Sequence, residues 1–230
     1  MPDFSSLETR LKLKFKNQEL LHQALVHRSF LNEHPEFPLG HNERLEFLGD
    51  AVLEIVVTEY LYHTFPERTE GDLTDWRASL VNSKMLAEVA KNIKLEDYLF
   101  MSKGEAKDKH TKARQYILAN AVEALIGAIY LDRGLKPASK FIMKEIVVNL
   151  EHILSNQLYL DPKSKFQEKA QDLYNITPHY EVLLEKGPDH DKTFKVGAYL
   201  KEKLIATGTG QSKHEAQVTA AQAAIEKKGW

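Results

Sequence analysis

Cysteine is missing from all 230 residues of the chain. That excludes disulfides, thiolate metal sites and a cysteine nucleophile, and it suits a reducing cytoplasm, where the chain is expected to work. Long apolar runs are missing too. No stretch approaches the ~20 residues that cross a bilayer, and the first residues lack the basic-then-apolar pattern of a secretory leader, so no membrane association is expected. An excess of one charge sign is also absent, with 31 Lys and Arg against 33 Asp and Glu for a net −2. Any affinity for polyanions must therefore come from local patches rather than the field of the whole molecule. No serine and histidine fall in a recognisable nucleophile motif, so nothing suggests a covalent intermediate. At 43% hydrophobic residues, the chain can bury one sizeable core and a smaller second one.

The most informative stretch is Asn42-Glu43-Arg44-Leu45-Glu46-Phe47-Leu48-Gly49-Asp50-Ala51. At about 100° per residue, Glu43, Glu46 and Asp50 share one stripe of a helix. Leu45, Leu48, Val52, Ile55 and Val56 fall on the opposite, core-facing side, and Arg44 lies near that side with its charged head free to extend outward. Clustered carboxylates repel one another and call for a cation or a cationic partner nearby. Hard divalent ions that keep several waters, Mg²⁺ above all, are held by a few carboxylates of this kind. A second segment, from Ile117 to Tyr130, repeats the design. Asn120 and Glu123 are i, i+3 neighbours there, while Val122, Leu125 and Ile129 make the core face. A single acidic pair on a helix is most often an ordinary solvated face. Two such segments, both with apolar flanks rich in Ala and Gly, point instead to helices that meet and share a metal. Phe47 falls within about 40° of Glu43, on the acidic side, where an exposed aromatic ring needs a cover.

The chain divides near residues 152–162. Before the division, helical periodicity predicts helices over 7–15, 19–27, 43–63, 75–92, 112–131 and 137–154. After Asp161-Pro162 the pattern reads helix (165–174), three strands (179–185, 193–200, 203–208) and an Ala-rich helix (212–227), a small two-layer module. The expected organisation is an all-α domain over 1–153, a linker over 154–160, and a small α+β domain of α-β-β-β-α order over 161–230.

Asn42 to Ala51 resembles the signature of the ribonuclease III family of double-stranded-RNA endonucleases, and Ile117 to Asp132 resembles that family's second catalytic helix. Glu70-Gly71-Asp72-Leu73-Thr74, Arg77-Ala78-Ser79-Leu80-Val81-Asn82 and Lys103-Gly104-Glu105 resemble further family stretches, in the expected order. The resemblance implies that Glu46, Asp50, the residue at 120 and Glu123 hold Mg²⁺, with Mn²⁺ as a substitute, and that Asp50 and Glu123 are catalytic. It implies accessory acidic roles for Glu43 and Glu70, and a homodimer in which Phe47 enters a socket on the partner. The implied reaction is metal-assisted hydrolysis of phosphodiesters in RNA duplexes, leaving 5′-phosphate and 3′-hydroxyl ends, in rRNA and mRNA processing. One departure stands out. The family usually has Asp where this chain has Asn120, a neutral and weaker ligand for a hard cation. That leaves a second reading open, a catalytically impaired or silent duplex-RNA-binding protein.

The C-terminal module resembles the double-stranded-RNA-binding domain along its length. That likeness implies groove contacts from Gln167 and Gln171, one helical turn apart, and from His190 in the Gly187-Pro188-Asp189-His190 loop. It implies phosphate contacts from Ser212 and Lys213 at the start of the last helix. Here too the chain departs from its family, with Gln211 and His214 where lysine is usual. From residue 159 onward there are 11 Lys and no Arg against 10 Asp and Glu, so salt-sensitive binding of modest strength is expected.

Overall fold

The computed structural model describes residues 3–107, 111–188 and 192–230. The chain forms two compact units, Met1–Tyr159 and Leu160–Trp230.

The first unit is helical: α1 (Ser5–Leu11), α2 (Gln18–Ala24), α3 (Arg28–Glu33), α4 (Glu43–Thr64), α5 (Glu70–Val81), α6 (Ser83–Asn92), α7 (Lys103–Lys107), α8 (Lys112–Arg133), α9 (Leu135–Glu145) and α10 (Leu150–Ser155). Its centre is α8, which is buried nearly all round from Ile117 to Ile129. An apolar helix rich in Ala and Gly can be surrounded in this way because its neighbours approach closely without voids. Helices α2, α4, α6 and α9 pack around it. A single parallel bridge, Val26 to Phe100, ties the segment after α2 to the one before α7.

Several boundaries differ from the periodic pattern, each for a local reason. The helix expected over 75–92 is two helices. It starts earlier, at Glu70, because Thr69 and Asp72 close a reciprocal capping box. It breaks at Asn82, whose backbone is extended. The Asn82 side chain accepts from Met85 N at 3.0 Å and donates to Ala78 O and Ser79 O, so one residue ends α5 and caps α6. The helix expected over 137–154 is likewise divided. Asn149 Nδ2 donates to the carbonyls of Glu145 and Ile146 at 3.1 and 2.9 Å, and a short 3₁₀ turn over Val147–Asn149 separates α9 from α10. The first two helices end early, α1 at a left-handed Lys12 and α2 at Leu25. His27, expected to end a helix, instead caps α3 by accepting from Ser29 N. On α4 the core face is Leu45, Val52, Leu53, Val56 and Val57. Ile55, expected to be buried, is 57% exposed. It sits at the margin of the apolar arc rather than in its middle.

The second unit has the expected α-β-β-β-α order: α11 (Pro162–Tyr174), β1 (His179–Lys186), β2 (Thr193–Leu200), β3 (Lys203–Gly210) and α12 (Lys213–Lys228). The strands form an antiparallel sheet in the order β1-β2-β3, with a bulge between Val182 and Leu184. Both helices pack against the sheet through a core of Phe166, Ala170, Phe194, Val196, Ala198, Ile205 and the alanines of α12.

Candidate functional site

What brings the two oxygen-bearing helix edges together is a backbone-to-backbone crossing of α4 and α8. A Cβ on Gly49 would lie 1.7 Å from the carbonyl oxygen of Glu123, and one on Gly127 would lie 2.2 Å from the carbonyl oxygen of Leu45. Only glycine at both positions permits so close an approach. The crossing sets Glu46 and Asp50, which flank Gly49, beside Asn120 and Glu123, which precede Gly127. Neither glycine was singled out from the sequence. The signal was a Gly inside each apolar helix, costly unless it serves packing.

Glu46 is half-buried and Asp50 exposed. The Glu46 carboxyl is pushed above its ordinary value by burial and then by Glu43, with a further push from Asp50 opposed by a hydrogen bond from the Asn120 side chain. The Asn120 side chain therefore lies within reach of Glu46. Glu123 is half-buried, and its pKa is pushed up to about 8 by burial, then by Asp50, Glu46 and Glu54.

The ends of the acidic stripe are paired. Arg28 lies 3.6 Å from Glu43, His41 Nδ1 lies 3.7 Å from the same carboxylate and pairs with it only when the ring is protonated, and Arg77 from α5 lies 2.9 Å from Glu54. Among the described residues, Glu46, Asp50 and Glu123 in the middle form no ion pair. Glu54 and its clamp Arg77 were missed in the sequence, although Glu54 follows Asp50 by four residues on the same side. Among the described residues, no group of three His, Asp or Glu closes to metal-holding geometry. The acids share a field rather than a common point, as expected for like charges without a counter-ion. The donor set, carboxylate oxygens plus one amide oxygen around an uncompensated negative centre, fits a hard hydrated cation.

Glu70 is not among the charges that act on Glu46 or Glu123. It is the first residue of α5, accepts from Thr74 Oγ1 at 3.4 Å, and lines a cavity of about 560 Å³ with Tyr62, Phe65, Arg68 and Arg77. Phe47 projects from α4 at 81% exposure. It borders a groove of about 650 Å³ lined by Leu20, Leu45, Leu48 and Leu131 together with Gln23, His41, Glu43 and Arg44.

In the second unit Gln167 and Gln171 are both exposed on α11; Gln171 donates to Asn175, while Gln167 has no side-chain partner among the described residues. Ser212 caps α12, its Oγ accepting from Glu215 N at 3.1 Å. The Glu215 carboxylate in turn accepts from Gln211 N at 2.9 Å, so this helix start already carries a negative group. Lys213 is exposed, with its Nζ 5.9 Å over the Phe194 ring. Asp189 and His190 lie outside the described residues.

Residues 17–150 match the family described as ribonuclease-III-like, and residues 162–228 match the double-stranded RNA binding motif. The class is thus a nuclease domain followed by a duplex-RNA-binding module. Ribonuclease 3 of Carboxydothermus hydrogenoformans is 47% identical over 221 residues, covering 96% of this chain and 94% of that protein. Ribonuclease 3 of Campylobacter jejuni is 42% identical over 229 residues, covering 100% of this chain and 99% of that protein. The solved nuclease domain of ribonuclease III from Campylobacter jejuni, which is flexible in a region involved in dimer formation, superposes with a TM-score of 0.58 at 43% identity, covering 64% of this chain and 98% of that one. The chain belongs to the ribonuclease III family.

Proposed function

We propose that this chain is a double-stranded-RNA endonuclease that hydrolyses phosphodiesters at the α4–α8 crossing, with Mg²⁺ as its metal and Mn²⁺ as a substitute. The observation that carries the reading is the shared field of Glu46, Asp50 and Glu123 at this crossing, with the Asn120 side chain acting on Glu46. These four residues would hold the ion, three through the carboxylates of Glu46, Asp50 and Glu123 and the fourth, Asn120, through its amide oxygen. When bound, such an ion polarises a phosphoryl oxygen and lowers the pKa of a bound water. Glu123 keeps its proton to about pH 8 in the metal-free chain, so it must release that proton to serve as a ligand. The Asn120 amide holds Glu46 in place from the α8 side.

Glu43 is committed to Arg28, and to His41 when that ring is protonated, which suits an organising role at the entrance of the helix. Glu70 is the second accessory acid. Phe47 beside a groove with a leucine floor and a polar rim on its own face supports an isologous dimer, each ring entering the other copy's groove. Two antiparallel RNA strands then meet one acidic centre each, leaving 5′-phosphate and 3′-hydroxyl ends. The C-terminal unit would grip the duplex by shape, through Gln167, Gln171, His190, Ser212 and Lys213. Work on ribosomal and messenger RNA precursors in the cytoplasm fits the cysteine-free composition. Among the described residues no helix is long and apolar enough to cross a membrane.

The neutral Asn120 favours a second reading, a duplex-RNA binder with little catalysis. Incubating the chain with a long RNA duplex and Mg²⁺ separates the two. Cleavage that Glu123→Gln abolishes and Asn120→Asp accelerates supports the enzyme. Cleavage that appears only in the Asn120→Asp variant establishes the silent binder.

A further inference from the structure

The acidic stripe of α4 runs one turn past the proposed metal set. Glu54 follows Asp50 by four residues and so lies above it on the same side. Its environment differs from that of Glu46, Asp50 and Glu123, because a cation holds it. The Nε of Arg77 lies 2.9 Å from Glu54 Oε2, and its Nη1 donates to Thr58 Oγ1 at 3.0 Å. One planar guanidinium thereby grips two residues of α4 that are one helical turn apart, a geometry that lysine cannot reproduce. Glu54 is also near enough to Glu123 to add to the repulsion on it.

We propose that Arg77 is a positioning residue for the hydrolysis: its two-point grip on Glu54 and Thr58 keeps a further carboxylate off the cation-binding face. The proposal rests on the metal-site reading given above. The physical need for such a clamp follows from Asn120. With a neutral amide in the ligand set, a free Glu54 one turn away is a stronger ligand for a hard cation than Asn120 is. An unclamped Glu54 would compete with Asn120 as a ligand for the cation, strengthening its binding while weakening the share of Asn120 in it. Surface ion pairs contribute little to stability, so the clamp's value lies in geometry rather than in holding the fold.

The test uses the full chain in four forms: the parent, Arg77→Met, Arg77→Met with Glu54→Gln, and Glu123→Gln. Mn²⁺ binding is measured by calorimetry without RNA, and duplex cleavage is measured separately. Arg77→Met is expected to bind Mn²⁺ more tightly yet cleave with a kcat roughly tenfold lower, at unchanged KM for the duplex. Adding Glu54→Gln returns both quantities toward the parent. The proposal is overturned if the double variant stays as slow as Arg77→Met, if KM changes instead of kcat, or if only the unfolding temperature moves. Retention of both Mn²⁺ binding and cleavage by Glu123→Gln refutes the metal site itself, which separates that failure from a failure of the clamp.

Discussion

Replacing Glu123 with glutamine should make the metal-free protein more stable while depriving it of its cation. In the folded chain the Glu123 carboxyl keeps its proton to about pH 8, against an ordinary value of 4.5. The folded state therefore binds a proton that the unfolded chain has already lost. The stability tied to that proton is full below pH 4.5 and disappears as pH rises through 8. The gap between the two values corresponds to a ceiling of about 5 kcal/mol. Glu123 is only half-buried, and screening by the water that reaches it lowers the expectation to roughly 2 kcal/mol.

Glutamine keeps the shape and discards the titration. Variant and parent should unfold together near pH 4.5 and diverge above it, with the variant melting about 4–8 °C higher near pH 8 in chelator. Added Mg²⁺ should then raise the melting temperature of the parent, by mass action on its folded state, and leave the variant unmoved. Scanning calorimetry of the full chain across this pH range measures both effects. If the variant melts at or below the parent's temperature near pH 8 without metal, Glu123 is not the strained acid that the geometry implies, and the reasoning fails.

Other outcomes follow from the same coordinates. Gly49→Ala places a Cβ where the Glu123 carbonyl stands; it should cost about 3 kcal/mol or more and abolish cleavage, as read by chemical denaturation and duplex assay. Phe47→Ala removes a ring already exposed, so it should leave the fold of each copy intact while weakening self-association by about 2 kcal/mol, roughly thirtyfold, in sedimentation equilibrium. Lys213→Ala should weaken duplex binding at low salt and lower the salt slope of the affinity by about 0.9, since one phosphate contact is lost; a slope unchanged by the substitution would remove Lys213 from the interface.

Residue order and spacing alone were enough for the stripe of Glu43, Glu46 and Asp50, for the Asn120–Glu123 pair, and for the α-β-β-β-α order of the C-terminal unit. They also placed Phe47 among the acids rather than in the core. These features follow from the fixed angle per residue of a helix and the alternation of a strand, which a linear pattern carries in full. Helix breaks were harder to read, because Asn82 and Asn149 stop their helices through side-chain hydrogen bonds to particular carbonyls, and periodicity continues across both positions. Ile55 shows the same limit from the packing side: its place at the edge of an apolar arc became exposure once α8 covered the middle of that arc. Tertiary structure alone decided that α4 and α8 cross at Gly49 and Gly127, that Arg28 and Arg77 pair the ends of the acidic stripe, and that Glu46, Asp50 and Glu123 between them form no ion pair among the described residues. A periodic pattern says which way a side chain points. Which helix it meets, and how close the two backbones come, is a property of three-dimensional packing.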